Sequence, residues 1–203
     1  IEVIVVDDNG KGSEEQIATE NVMKKYASDD RVKYFAHDVS LHGSAARNTG
    51  VKQSCGEYIA LLDDDDYFLP NNIEEHYKTL IDHDENFGVS FCGMHIVRGK
   101  IEEDIIATYE GDVLVHFLMG RMRVGSSLVM IRRSVYEEFN GFDESFKRHQ
   151  DWEFLTRIFT KYQLASTHKI GVVKINLDRN VATNPQKFED NRIFFLDKMK
   201  GII

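Results

Sequence analysis

Residues Gly43–Pro70 read GSAARNTGVKQSCGEYIALLDDDDYFLP, and this stretch decides the fold. Ser44 can cap a helix over Ala45–Ser54, and Gly56 stands where a helix ends. Glu57–Leu62 is then a short apolar strand that runs straight into Asp63-Asp64-Asp65-Asp66. Pro70 suits the first turn of the next helix, with Ile73, Tyr77, Leu80 and Ile81 on one side.

Working outward, Ile1–Val6 (IEVIVV) is a β-branched run stopped by Asp7-Asp8-Asn9-Gly10, the pattern of a buried strand. Ser13 can cap a helix whose apolar face is Ile17, Val22, Met23 and Tyr26. Arg31–Ala36 and Val89–Val97 read as further strands. Strands and helices therefore alternate through the first half, which predicts an α/β domain with mainly parallel pairing. The second half is less regular. Helices are expected over Asp112–Met119, Ser134–Phe139, Gln150–Tyr162 and Phe188–Lys200. Strands are expected over Ser127–Ile131 and Gly171–Leu177. The terminal helix has Phe188, Phe195, Leu196 and Met199 on one face.

Composition narrows the function. Among 203 residues, 25 Lys and Arg face 34 Asp and Glu, a net charge of −9. A phosphate-backbone binder needs clustered cations, so no nucleic-acid partner is expected. The two cysteines, Cys55 and Cys92, imply no disulfide framework and fit a reducing compartment. The longest run without Asp, Glu, Lys or Arg is Asn86–Val97, too short to span a bilayer.

Four adjacent carboxylates repel one another, so folding alone does not favour them. At the end of a sheet strand they sit where α/β proteins place ligands. On a strand, Asp63 and Asp65 would share one face and Asp64 and Asp66 the other. Two carboxylates can hold Mg²⁺ or Mn²⁺ while leaving sites for the oxygens of a diphosphate. The plainer reading is a solvated acidic turn in which Asp66 caps the Pro70 helix.

These residues resemble the signature of family 2 glycosyltransferases with the GT-A fold. An Ala-Arg-Asn-x-Gly helix, a Gly-Glu-Tyr-Ile strand, an Asp-x-Asp-Asp cluster and a Pro-started helix follow in order within Gly43–Pro70. IEVIVVDDNG resembles the family's second strand and its Asp-Asp turn. Asn140-Gly141-Phe142-Asp143-Glu144, followed by Gln150-Asp151-Trp152, resembles its Gly-Phe-Asp-Glu segment and catalytic pair. Each motif is weak by itself, but four in this order are specific.

The resemblance implies a single GT-A-like domain over residues 1–203, a mostly parallel sheet flanked by helices. Residues 1–97 would bind the nucleotide sugar, and 98–203 would bind the acceptor and carry the base. Asp8 would contact the nucleobase, making a UDP-sugar the first expectation; a turn residue bonding its own backbone is the alternative. Asp63 and Asp65 match the metal and donor positions, with Asp65 the direct ligand and Asp64 beside the donor. Asp151 matches the general base of an inverting, single-displacement transfer. Gln150, where many relatives have Glu, cannot take a proton. Arg47 and Asn48 could approach the donor, or Arg47 could form a structural ion pair. Trp152 could stack on an acceptor sugar or pack in the core. Arg121, Arg123, Ser126 and Ser127 precede a strand where relatives shape the acceptor pocket, and could equally be surface loop.

Two departures from the family pattern stand out. Relatives begin with an additional apolar strand, so roughly thirty residues are expected before Ile1 and the native protein is expected to be longer. Many also carry a Tyr-Arg-x-His-like segment, where this chain has Leu177-Asp178-Arg179-Asn180. The expected acceptor is a glycan or lipid-linked glycan of surface polysaccharide. The expected place is the cytoplasm or, peripherally, the cytoplasmic membrane face, where Phe194, Phe195, Ile202 and Ile203 could touch lipid or instead pack across the sheet. The rivals are a sugar-phosphate nucleotidyltransferase and an inactive nucleotide-sugar-binding module.

Overall fold

The β-branched start of the chain forms β1 (Val3–Asp7), which pairs in parallel with β2 (Val32–Ala36), Val3 opposite Val32 and Asp7 opposite Ala36. A computed structural model describes residues 1–175 and 185–201. It divides into two compact units: Ile1–Glu57 with Gly141–Gln150, and Tyr58–Asn140 with Asp151–Ile203.

In the first unit, α1 (Glu14–Met23) is capped by Ser13, whose Oγ accepts the Gln16 N–H at 3.1 Å. Its expected apolar face is not buried. Ile17, Val22 and Tyr26 are each about half exposed. The buried side chain is Gln16, which donates to the Tyr34 hydroxyl of β2 at 3.1 Å. α2 (His42–Gln53) starts before the expected Ser44 cap, and Ser44 is buried within it. Gly50 of α2 faces Val6 of β1. The returning segment Gly141–Gln150 is tied down by Asn48, whose Nδ2 donates to Phe142 O and whose Oδ1 accepts the Phe142 N–H, both at 2.9 Å.

The second unit is built on a mixed sheet. Its strands are β3 (Tyr58–Ala60), β4 (Asp66–Phe68), β5 (Phe87–Arg98), β6 (Ile101–Ile105), β7 (Val129–Arg132) and β8 (Gln163–Ile175). Their order is β3-β7-β5-β8-β4, with β6 hairpinned onto β5. The chain is α/β as expected, and the long β5–β8 pair is parallel. The β3–β7, β5–β7, β5–β6 and β4–β8 pairs are antiparallel, which amends the expectation of mainly parallel pairing. β4 and β6 were not expected. β8 begins earlier than Gly171, and residue 177 falls outside the described residues, as does 178–180.

Helices α3 (Asn72–Ile81), α4 (Leu114–Leu118), α5 (Arg133–Glu138), α6 (Gln150–Phe159) and α7 (Pro185–Met199) complete the fold. β5 is buried from Gly88 through Met94, on both faces, as a covered central strand should be. α6 sinks Phe154, Ile158 and Phe159 as its pattern predicts. Burial of one such side chain contributes about 2 kcal/mol. α3 is rotated from the expected face: Asn72, His76 and Leu80 are buried, whereas Tyr77 and Ile81 are half exposed. On α7, Phe195 and Met199 are buried and Leu196 is exposed, while the Phe188 side chain falls outside the described residues.

Candidate active site

β3 ends at Ala60, and the aspartates that follow form a turn rather than an extended strand. The Asp66 N–H closes it by donating to Asp63 O at 3.1 Å. Strand alternation therefore does not sort these side chains. Asp63 is half-buried, and Asp64 and Asp65 are exposed. Asp66 neither caps α3 nor faces solvent. It opens β4 and pairs with Lys174 of β8, with only 3 % of its side chain exposed. The turn is thus anchored to the sheet at its far end by a partly buried ion pair.

The near end is anchored by a residue for which the sequence left acceptor pocket and surface loop both open. Ser126 and Ser127 are buried, in a short 3₁₀ turn leading into β7. Ser127 Oγ accepts the Asp63 N–H at 3.0 Å. The register explains the contact. Ala60 lies opposite Met130, so three residues further along β3 the partner position is 127. Backbone pairing has stopped there, and the hydroxyl takes its place. The family resemblance picks out Ser127 beside the acceptor, but only the register of β3 against β7 reveals its contact with Asp63. Gly125, two residues earlier, lies against Asp151: a Cβ at Gly125 would stand 3.5 Å from Asp151 Oδ2. The segment Gly125–Ser127 therefore bonds to the acidic turn through Ser127 and borders the carboxylate of Asp151 at Gly125.

Asp151 is half-buried in the first turn of α6, and its Oδ1 accepts the Trp152 N–H at 2.9 Å. A helix N-terminus favours an ionised carboxylate. Trp152 is also half-buried, with its ring 5.0 Å from that of Phe117 and 6.4 Å from Phe195. Beside it, Gly120 leaves open a position 3.8 Å from the indole edge. Arg121 and Arg123 are exposed, and Arg123 lies 3.6 Å from Glu103.

Asp8 and Arg47 belong to the first unit. Both oxygens of Asp8 are engaged: Oδ1 by His37 Nδ1 at 2.7 Å and the Leu41 N–H at 2.8 Å, Oδ2 by the Ser40 hydroxyl at 2.9 Å and the His42 N–H at 2.7 Å. Asp8 thus supplies the cap that α2 lacks within its own sequence. Partial burial acts to raise its pKa, but these four donors outweigh it and hold the carboxyl below its ordinary value. The His37 ring continues to Thr49 Oγ1 at 3.0 Å. Arg47 donates to Gln150 Oε1 at 2.7 Å and stacks over Phe142, with 5.5 Å from its guanidinium carbon to the ring centroid. Asn48, besides holding Phe142, donates to Glu144 Oε1 at 2.9 Å. Neighbouring Asp7 is buried, accepting from the Tyr34 hydroxyl at 2.8 Å and the Asn9 N–H at 3.0 Å.

Among the described residues, no group of three or more His, Cys, Asp or Glu side chains forms a metal cage. Among those residues, no helix is long and apolar enough to cross a membrane.

Comparison with known proteins agrees with this architecture. An uncharacterized glycosyltransferase of Rickettsia bellii is 30 % identical over 196 residues, covering 95 % of this chain and 27 % of its own length. Uncharacterized glycosyltransferase YwdF of Bacillus subtilis is 34 % identical over 128 residues, covering 59 % of this chain and 45 % of its own length. The chain thus spans about a quarter to a half of these relatives. Among solved structures, S. aureus TarS 1–349 in complex with UDP-GlcNAc superposes with a TM-score of 0.71 at 17 % identity, over 98 % of this chain and 58 % of that one. Mannosyltransferase PcManGT from Pyrobaculum calidifontis, in complex with GDP-Man and Mn²⁺, gives 0.66 at 16 % identity, over 97 % of this chain and 54 % of that one. At those identities the likeness shows the GT-A fold. The sequence profile of Glycosyl transferase family 2 matches residues 1–139, and the chain belongs to that family.

Proposed function

We propose that this chain is the catalytic domain of a cation-dependent, inverting glycosyltransferase that takes a nucleotide-diphosphate sugar, with a UDP-sugar the first candidate. The observation that carries the proposal is the single short segment, Gly125–Ser127, lying against both the acidic turn and Asp151. A displacement reaction needs its leaving-group carboxylates and its base close together, and the second unit supplies both.

The donor set fits a hard divalent cation. Asp65 is exposed and Asp63 half-buried on a turn held to the sheet by Ser127 and Lys174, with the exposed Asp64 between them. The lack of an all-protein cage among the described residues suits Mn²⁺ or Mg²⁺, which takes one or two carboxylates and fills its remaining sites from diphosphate and water. Asp65, with Asp63, would hold it. Bound there, the ion would neutralise charge developing on the leaving nucleoside diphosphate. Asp151 accepts the proton of the acceptor hydroxyl as that oxygen attacks the anomeric carbon, and the configuration inverts. Trp152 and Ser126 border the acceptor. That the two solved relatives bind UDP-GlcNAc and GDP-Man supports a nucleotide-sugar donor. The assignment of Asp8 and Arg47 to the donor rests on the family resemblance. Within the first unit the oxygens of Asp8 are engaged by His37 and the Ser40–His42 segment, which they hold in place.

The test uses the full-length protein, a panel of nucleotide sugars, Mn²⁺, and a chelator. Donor turnover should require the cation, and NMR of the product should show an inverted anomeric configuration. Asp151→Asn should lower turnover by about 10²–10⁴-fold while donor binding persists. Turnover unaffected by chelator or by Asp151→Asn would overturn the reading. So would products that show transfer of a nucleotidyl group.

A further inference from the structure

Ser127 does more than fill the core. Its side chain is sealed from solvent, yet its oxygen is committed to one backbone N–H, that of Asp63, the first residue of the acidic turn. At this point the β3–β7 ladder has run out: Tyr58, Ile59 and Ala60 pair with Arg132, Ile131 and Met130, and no backbone carbonyl of β7 continues the pairing. Without the hydroxyl, the Asp63 N–H would lose this acceptor. The far end is already pinned by Asp66 and Lys174. Loss of Ser127 would therefore remove the backbone contact that holds the near end of the turn to the 3₁₀ turn before β7.

We propose that Ser127 is a positioning residue for the cation, one that sets affinity for the metal–nucleotide complex by fixing the backbone of Asp63 and, through it, the carboxylates of Asp63 and Asp65. It touches neither metal nor substrate. The inference rests on the reading of Asp63 and Asp65 as cation ligands. It goes beyond that reading by assigning the geometry of the ligands to a residue on a separate strand. Gly125, the residue just before this 3₁₀ turn, borders Asp151.

The experiment measures Mn²⁺ binding to the full-length protein by calorimetry, in the presence of UDP and separately of GDP, with turnover as a second readout. Ser127→Ala removes the acceptor oxygen. Ser127→Cys keeps nearly the same shape with a weaker acceptor and carries the test should the alanine variant fail to fold. Loss of one buried hydrogen bond predicts Mn²⁺ binding weakened about five- to tenfold in Ser127→Ala, with Ser127→Cys in between. The half-saturating Mn²⁺ concentration for turnover should rise in the same order, and kcat at saturating Mn²⁺ should change less than it does. A merely structural serine would lower the melting temperature and leave Mn²⁺ affinity unmoved; that result overturns the proposal. Wild-type protein that binds no Mn²⁺ with either nucleotide overturns both the cation reading and the inference built on it. Weakened binding in the variants together with no glycosyl transfer by the wild type sustains the inference and removes the enzymatic reading.

Discussion

Lys174 keeps a quarter of its side chain in water, but its partner Asp66 keeps only 3 %. The pair is worth most as a pair, because removing the cation strands a buried carboxylate. Lys174→Met should cost about 3 kcal/mol in urea unfolding, and Asp66→Asn combined with Lys174→Met should recover much of that loss. His76 is the second residue whose charge the fold restricts. It is 1 % exposed, and its Nδ1 lies 2.7 Å from Ser90 Oγ. Burial pushes its pKa down from 6.5 to about 4. Above pH 6.5 the ring is neutral whether folded or unfolded, and there is no linkage. As pH falls from 6.5 to 4 the unfolded chain takes up a proton that the folded chain refuses, so stability drops, by up to about 3 kcal/mol. Below pH 4 this contribution levels off. Urea midpoints across that range should show the slope, and His76→Gln should flatten it. Burial also pushes the Cys92 thiol up to about 12, so it stays protonated and unreactive near neutral pH.

The β5–β6 hairpin depends on a close backbone approach at Gly93. A Cβ there would stand 2.4 Å from the carbonyl oxygen of Ile105, an atom that cannot move without parting the strands. Gly93→Ala should therefore destabilise by at least about 2 kcal/mol, read as a lowered melting temperature. Elements of this kind mark where sequence reading stops. α6 was legible because its apolar residues repeat at the period of the helix that buries them, whereas β1 was read from an unbroken β-branched run and α2 from its flanking Ser44 and Gly56. β6, Ile-Glu-Glu-Asp-Ile, is an edge strand with four of its five residues exposed, and its ladder with β5 holds it rather than its pattern. β4 has three residues and is defined by pairing with β8 and by the Asp66–Lys174 contact. α3 was seen as a helix but misoriented. An Asn and a His lie on its inner face, where a hydropathy argument looks for Ile and Tyr. The aspartates and Asp151 could be picked out by residue type and order. The contacts of Ser127 and Lys174 could not, since each depends on a neighbour that the folded register provides.

At the scale of the molecule, the chain enters the first unit twice, in Ile1–Glu57 and again in Gly141–Gln150, with Tyr58–Asn140 in the second unit between them. Asn48 secures the second entry by giving Phe142 both a donor and an acceptor, so one amide replaces a rung of ladder. Ser44 Oγ adds a weaker contact to Phe146 O at 3.4 Å. Asn48→Ala removes two backbone partners and should raise amide exchange across residues 141–150 by about tenfold or more, leaving β5 and β8 unchanged. Hydrogen-exchange mass spectrometry separates the two regions. This doubled entry also orders events during synthesis. Domains emerging from a ribosome generally fold from the N-terminus onward. The first unit cannot follow that rule to completion: its early strands and helices must wait, partly assembled, until translation has passed through the whole intervening stretch and delivered the residues that close it.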